Sequence, residues 1–213
     1  MKMSQKTLFL AGLVALLGVN KATAACTDPA TPGEWTCLEV EDTANPGSYI
    51  DETNNGQIGP FTFSGTSALN IGGFLSATCE LSVTGFVEVA TSPDRAFIRM
   101  VSGSISGADP TCGRLNLANF DWHAHDTTDG AMGIAGASNA NPPWDPVPGE
   151  VRTISVTHNW FGPICNGDMG GLNFVNDPNQ SYFSFNGTIP GSFGTCSVIG
   201  DLEAPLGENV RAW

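Results

Sequence analysis

Glycine and proline punctuate this chain too often for helices. Twenty-six glycines and 14 prolines are spread over its 213 residues, and beyond residue 24 no apolar i, i+3, i+4, i+7 pattern persists for three turns. Each glycine weakens a helix interior through backbone entropy, and each proline removes a hydrogen bond and clashes with the preceding turn. What recurs instead is short alternation. Phe61, Phe63 and Gly65 alternate with small polar residues, and Leu81, Val83, Phe86, Val87 and Val89 follow Cys79. Ala96 to Val101 reads as a strand paired with that one through a turn at Thr91-Ser92-Pro93-Asp94. Further strands are expected at Leu115 to Trp122, Val151 to Trp160, Tyr182 to Ile189 and Ser197 to Leu202, each bordered by Gly, Pro, Asn or Asp. The pattern predicts an all-β domain over residues 59–213, an antiparallel β-sandwich of immunoglobulin-like or jelly-roll-like form. Residues 25–58 are polar and turn-rich, with Pro29, Pro32, Pro46 and Asn54-Asn55-Gly56. They predict an irregular N-terminal arm with one short strand at Trp35 to Val40.

The first 24 residues have the three parts of an export signal: Lys2 and Lys6, the apolar run Leu8 to Val19, and Ala22-Thr23-Ala24 before the expected cleavage point. The apolar run is about twelve residues, short of the roughly 20 that span a bilayer. No later stretch reaches that length, so a secreted, extracellular protein is expected, with the periplasm as the alternative and without an integral membrane segment.

Six cysteines follow the signal: Cys26, Cys37, Cys79, Cys112, Cys165 and Cys196. An even count in an exported chain without a Cys-x-x-Cys pair predicts disulfides rather than zinc. The sequential pairing Cys26–Cys37, Cys79–Cys112 and Cys165–Cys196 is expected, because each pair flanks one compact segment.

All three lysines lie in the signal segment, leaving five arginines against 21 acidic residues and a formal charge of −16. Charge of that sign repels phosphate backbones and anionic lipid, which excludes nucleic acid as a partner.

Candidate chemistry is sparse. In an extended strand His123 and His125 share one face and could hold a divalent cation, with Asp126 or His158 completing the shell. An exposed strand end without a ligand accounts for the same residues, so no cofactor is expected and a divalent cation is the alternative. Asp51-Glu52-Thr53-Asn54-Asn55-Gly56 and Asp126-Thr127-Thr128-Asp129-Gly130 gather oxygen donors before a glycine, but neither has EF-hand spacing, and turn chemistry explains both. Gly-x-Ser-x-Gly, His-Glu-x-x-His and a free Cys-His pair are all missing from the sequence, and no spacing singles out a pair of glycosidase carboxylates, so the chain is read as non-enzymatic. Among the aromatics, Phe61, Phe63, Phe74, Phe183 and Phe185 are expected in the core with Trp122 and Trp160 as further groove candidates. Trp144 is the residue expected at a surface contact, because it lies among prolines in the long loop from Asp126 to Gly149.

A longer order of motifs remains: Phe61-Thr62-Phe63-Ser64-Gly65, Gly73-Phe74, Cys79, Thr84-Gly85-Phe86-Val87, Ser102-Gly103-Ser104, Asp109-Pro110-Thr111-Cys112-Gly113, Asn119-Phe120-Asp121-Trp122, Arg152 to Val156, Cys165, Ile189-Pro190-Gly191 and Cys196. Over about residues 58–202 this order resembles the protein activators of alkane oxidation, the Pra family of secreted proteobacterial proteins. The resemblance implies a β-rich exported protein associated with growth on hydrocarbons and with the biofilm matrix, and it carries no catalytic residues. The chain departs from that pattern in its arm with Cys26 and Cys37, its Asp126 to Gly149 loop and its acidity. The expected function is that of an adhesive or self-associating surface or matrix protein, its partners being other copies, matrix components or apolar surfaces. A ligand-binding module for divalent metal or glycan is the alternative.

Overall fold

The computed structural model describes residues 38–51, 57–91, 94–126, 147–175, 177 and 180–212. The expected signal segment, the expected Cys26–Cys37 pair, Trp144 and the tip of the long loop lie outside them.

The fold is all-β. Twelve strands run in chain order: β1 (Leu38–Glu41), β2 (Tyr49–Asp51), β3 (Gln57–Ile71), β4 (Leu75–Thr91), β5 (Asp94–Ser106), β6 (Leu115–Ala118), β7 (Trp122–Asp126), β8 (Val147–His158), β9 (Gly162–Val175), β10 (Tyr182–Ile189), β11 (Cys196–Glu203) and β12 (Val210–Ala212). A single 3-10 turn, Cys112–Arg114, is the one helical element among the described residues.

The ladder runs β8-β7-β5-β4-β3-β11-β10-β9, and β9 pairs back onto β8. All of these pairings are antiparallel. The sheet therefore closes into an eight-stranded barrel, which corrects the expected sandwich. Two features of the sequence conceal the closure. Glycines that read as strand borders lie inside strands and let them curve, as barrel strands must. A Cβ at Gly65 would stand 2.1 Å from the carbonyl oxygen of Asp201, so only glycine lets β3 and β11 approach there. The closing strand β9 contains Gly162, Pro163, Gly167, Gly170 and Gly171 and shows little β pattern, so it is absent from the expected strands.

The expected strand from Leu115 to Trp122 is two. β6 pairs with Ser155–His158 and β7 with Gly149–Arg152, so both lie along one edge of β8. Between them Asn119 takes a left-handed φ of 57°, and Thr153 opposite, with φ 63°, donates its hydroxyl to the Asp121 carbonyl at 3.0 Å.

Large apolar side chains point inward. Phe63, Val83, Val87, Ile98, Leu172, Phe174, Phe183 and Ile189 are buried, and the Phe183 ring meets Phe63 and Phe174 edge-on at 4.8 and 4.7 Å. The outer wall is polar, with Ser64, Thr66, Asn70, Thr78, Glu80, Asn186, Thr188 and Asp201 exposed. That inside-out pattern is the reverse of a transmembrane barrel, whose apolar band faces lipid. No helix among the described residues is long and apolar enough to cross a membrane.

The arm is not irregular throughout, since β1 and β2 form a three-stranded sheet with β12. This sheet covers the barrel end where β3 begins and β10 starts. Val40 and Val210 join the barrel core. The Glu41 carboxylate accepts hydrogen bonds from the backbone N–H groups of Gly47 and Asn209, and the Asn209 side chain accepts one from Ser181.

Cys79–Cys112 and Cys165–Cys196 form as expected. Both disulfides fit an oxidising, extracytoplasmic environment.

Candidate functional site

The barrel end opposite the small sheet carries an exposed aromatic cluster. Three hairpin turns meet there: Gly72-Gly73-Phe74 between β3 and β4, Asn159-Trp160-Phe161 between β8 and β9, and Pro190 to Thr195 between β10 and β11. Each contributes a phenylalanine. Phe74 stacks on Phe193 with centroids 5.4 Å apart, and Phe161 stands edge-on to both at 5.5 and 5.8 Å. Beside them Trp160 is 68% exposed, and Phe74 is 58% exposed.

Local chemistry fixes each ring. The Gly72 N–H donates to the Thr195 carbonyl at 3.1 Å, which ties two of the turns together. His158 is buried below the third, stacked on Phe161 at 4.7 Å, and its Nδ1 accepts the backbone N–H of Trp160 at 3.2 Å. The Arg114 guanidinium lies 4.0 Å from the Trp160 ring centroid, a cation–π contact that orients the indole without covering it. Both disulfides anchor the same end: Cys112 opens the 3-10 turn leading to Arg114, and Cys196 pairs in register with Ile71 beside the first turn.

Single exposed apolar residues are ordinary, whereas a contiguous group marks a contact surface. Of the six large apolar side chains exposed among the described residues, Phe74, Trp160, Phe161 and Phe193 belong to this cluster, and only Ile199 and Leu206 stand apart. Phe74 thus leaves the core expected for it, while Phe61, Phe63, Phe183, Phe185 and Trp122 are buried. Phe161 and Phe193 are not among the residues the sequence singles out. The available signal was an aromatic inside a turn signature, as in Ser192-Phe193-Gly194 and Trp160-Phe161-Gly162, where a core role is hard to satisfy.

The histidines are divided. His123 and His125 share the outer face of β7, as strand geometry requires. His125 Nε2 lies 3.3 Å from the Glu150 carboxylate, which also pairs with Arg152 at 2.6 Å, and His123 packs edge-on to Phe97. His158 is six residues along β8 from Arg152, the ladder partner of His123, about 20 Å away at the rise of a strand. It supports the aromatic end and does not join the pair, which corrects its expected role as a ligand. The side chain of Asp126 lies outside the described residues. Among those residues no three His, Cys, Asp or Glu side chains gather in a group able to hold a metal ion.

Comparison of the chain with protein-family models, with curated proteins and with solved structures finds no match.

Proposed function

We propose that this is an exported, non-enzymatic surface or matrix protein that attaches to uncharged apolar surfaces through the aromatic end of its barrel. The observation that carries this reading is the cluster of Phe74, Phe161, Phe193 and Trp160, four exposed rings from three turns held in one place. Removing apolar area from water stabilises contact by about 25 cal/mol per Å², so rings already fixed by folding can turn that area into attachment with little further ordering. The charge of −16 opposes anionic membranes and also repels other copies of the chain, which leaves neutral hydrocarbon as the favoured surface. The polar wall keeps the remainder of the barrel hydrated. The resemblance to the protein activators of alkane oxidation points to the same class of surface, and export to the cell exterior or the matrix is part of this reading.

The barrel also changes the route by which copies would associate. Pairing along exposed strand edges is the route expected of a sandwich, but the closed ladder leaves among the described residues mainly short edges, at β6 and in the small sheet. Contact between copies through the aromatic ends replaces it.

Light scattering on the oxidised protein across concentration, with and without alkane droplets, tests the proposal. Coating of droplets, or growth into assemblies that small amounts of alkane disperse, is expected. A monomer at all concentrations that leaves droplets bare would refute it.

A further inference from the structure

The interior of the barrel is not completely filled. A cavity of about 80 Å³ lies among Leu69, Val83, Met100, Val151, Met169 and Phe185, within a wholly apolar lining apart from Ser67. The Ser67 hydroxyl is turned to the Cys79 carbonyl at 3.5 Å, and the backbone groups around the cavity belong to the ladder. A buried water needs two to four hydrogen-bonding partners. This lining does not supply them, so water is a poor occupant. Dispersion contacts are what the walls offer, and they are lost wherever the space stays empty.

The wall has a seam between β5 and β6. β5 pairs with β7 only through Ile98–Met100, and among the described residues no ladder joins Ser102–Ser106 to β6. At that seam Ile105 and Leu117 are both half-buried and both line the cavity. Separating them breaks no backbone pairing. Met100 and Met169 have flexible thioether side chains that can adapt to an occupant.

We infer that the barrel interior is a binding site for one small, uncharged hydrocarbon, admitted between β5 and β6. The ligand carries no hydrogen-bonding group, because the walls would leave such a group unpaired at the full cost of its desolvation. Size limits it to molecules no bulkier than propane. The site is separate from the aromatic end and does not depend on the attachment proposed above.

Propane titration followed by methyl NMR tests the inference. Saturable shifts are expected for the methyls of Leu69, Val83, Met100, Val151 and Met169, with those of the exposed Ile199 and Leu206 unmoved. The triple variant Phe74→Ser, Phe161→Ser, Phe193→Ser should retain these shifts, which separates this site from the aromatic end. Val83→Phe, which fills the space, should abolish them while the fold is kept. If that variant does not fold, the titration of the unaltered protein still decides. Interior methyls that do not respond, or a Val83→Phe protein that folds and binds as before, would overturn the inference.

Discussion

Phe74 and Phe193 stack 5.4 Å apart with their planes at 24°, although they sit on hairpin turns far apart in the chain. Pairing of β3 with β11 brings those turns together. Ile71 and Cys196 are ladder partners, so β3 and β11 end side by side, and the Gly72 N–H crosses to Thr195. The aromatic end is thus built into the topology and is in place before anything binds it.

Gly72 is the position where that arrangement is most easily disturbed. It has φ +52°, and a Cβ there would stand 2.3 Å from the Phe193 carbonyl oxygen. Gly72→Ala is expected to push the two turns apart and cost about 1 to 3 kcal/mol, measured by denaturant unfolding. Gly73→Ala, where nothing lies within 4 Å of the added carbon, retains only the conformational penalty of its positive φ and should cost less.

Each described disulfide closes a loop of similar length, with separations of 33 and 31 residues. By loop-closure entropy, replacing either pair with alanines should lower stability by about 3 to 4 kcal/mol. Equilibrium unfolding of Cys79→Ala/Cys112→Ala and Cys165→Ala/Cys196→Ala checks this. A near-zero loss for either pair would show that its loop is already constrained in the unfolded chain.

Phe183 is 1% exposed between Phe63 and Phe174 at the centre of the barrel. Phe183→Ala should cost about 3 to 5 kcal/mol, the usual range for a large aromatic removed from a packed core. Ile199→Ser, on the outer face of β11, should change stability by less than about 0.5 kcal/mol. Comparable effects in the two variants would contradict the inward and outward assignment of these strands.

The small sheet gives the protein an alkaline limit. Burial raises the Tyr49 hydroxyl above its ordinary range, with Arg211 opposing the shift and Glu41 adding to it. The folded protein therefore holds this proton more tightly than the unfolded chain does. Stability is unaffected below the unfolded tyrosine value, about 10, and falls as pH rises through and above it. Tyr49→Phe should flatten that slope in urea midpoints taken from about pH 8 to 11. An unchanged slope would assign it to another group.

Alternation at Phe61 and Phe63, at Phe183 and Phe185, and across the β4–β5 hairpin made the strand content legible, because local patterning reports which face of a strand is buried. Cysteine spacing similarly pointed to Cys79–Cys112 and Cys165–Cys196. Closure was not legible. It depends on β9, whose glycines suit a curved strand in close contact with its neighbours and lack the β-branched residues that identify strands by composition. The aromatic end was hidden for the same reason: Phe74, Phe161 and Phe193 become neighbours only when three hairpins share one end of a barrel. His158 reads as a metal ligand beside His123 and His125 until the β8 register places it near the other end of that strand.

The most direct measurement of the proposed attachment is the tension of an alkane–water interface in the presence of the oxidised protein and of its Phe74→Ser, Phe161→Ser, Phe193→Ser variant, both confirmed as folded by circular dichroism. The unaltered protein should lower the tension, and the variant should need at least about tenfold higher concentration for the same effect, equivalent to about 1.4 kcal/mol of lost binding. Equal activity of the two proteins would contradict that attachment.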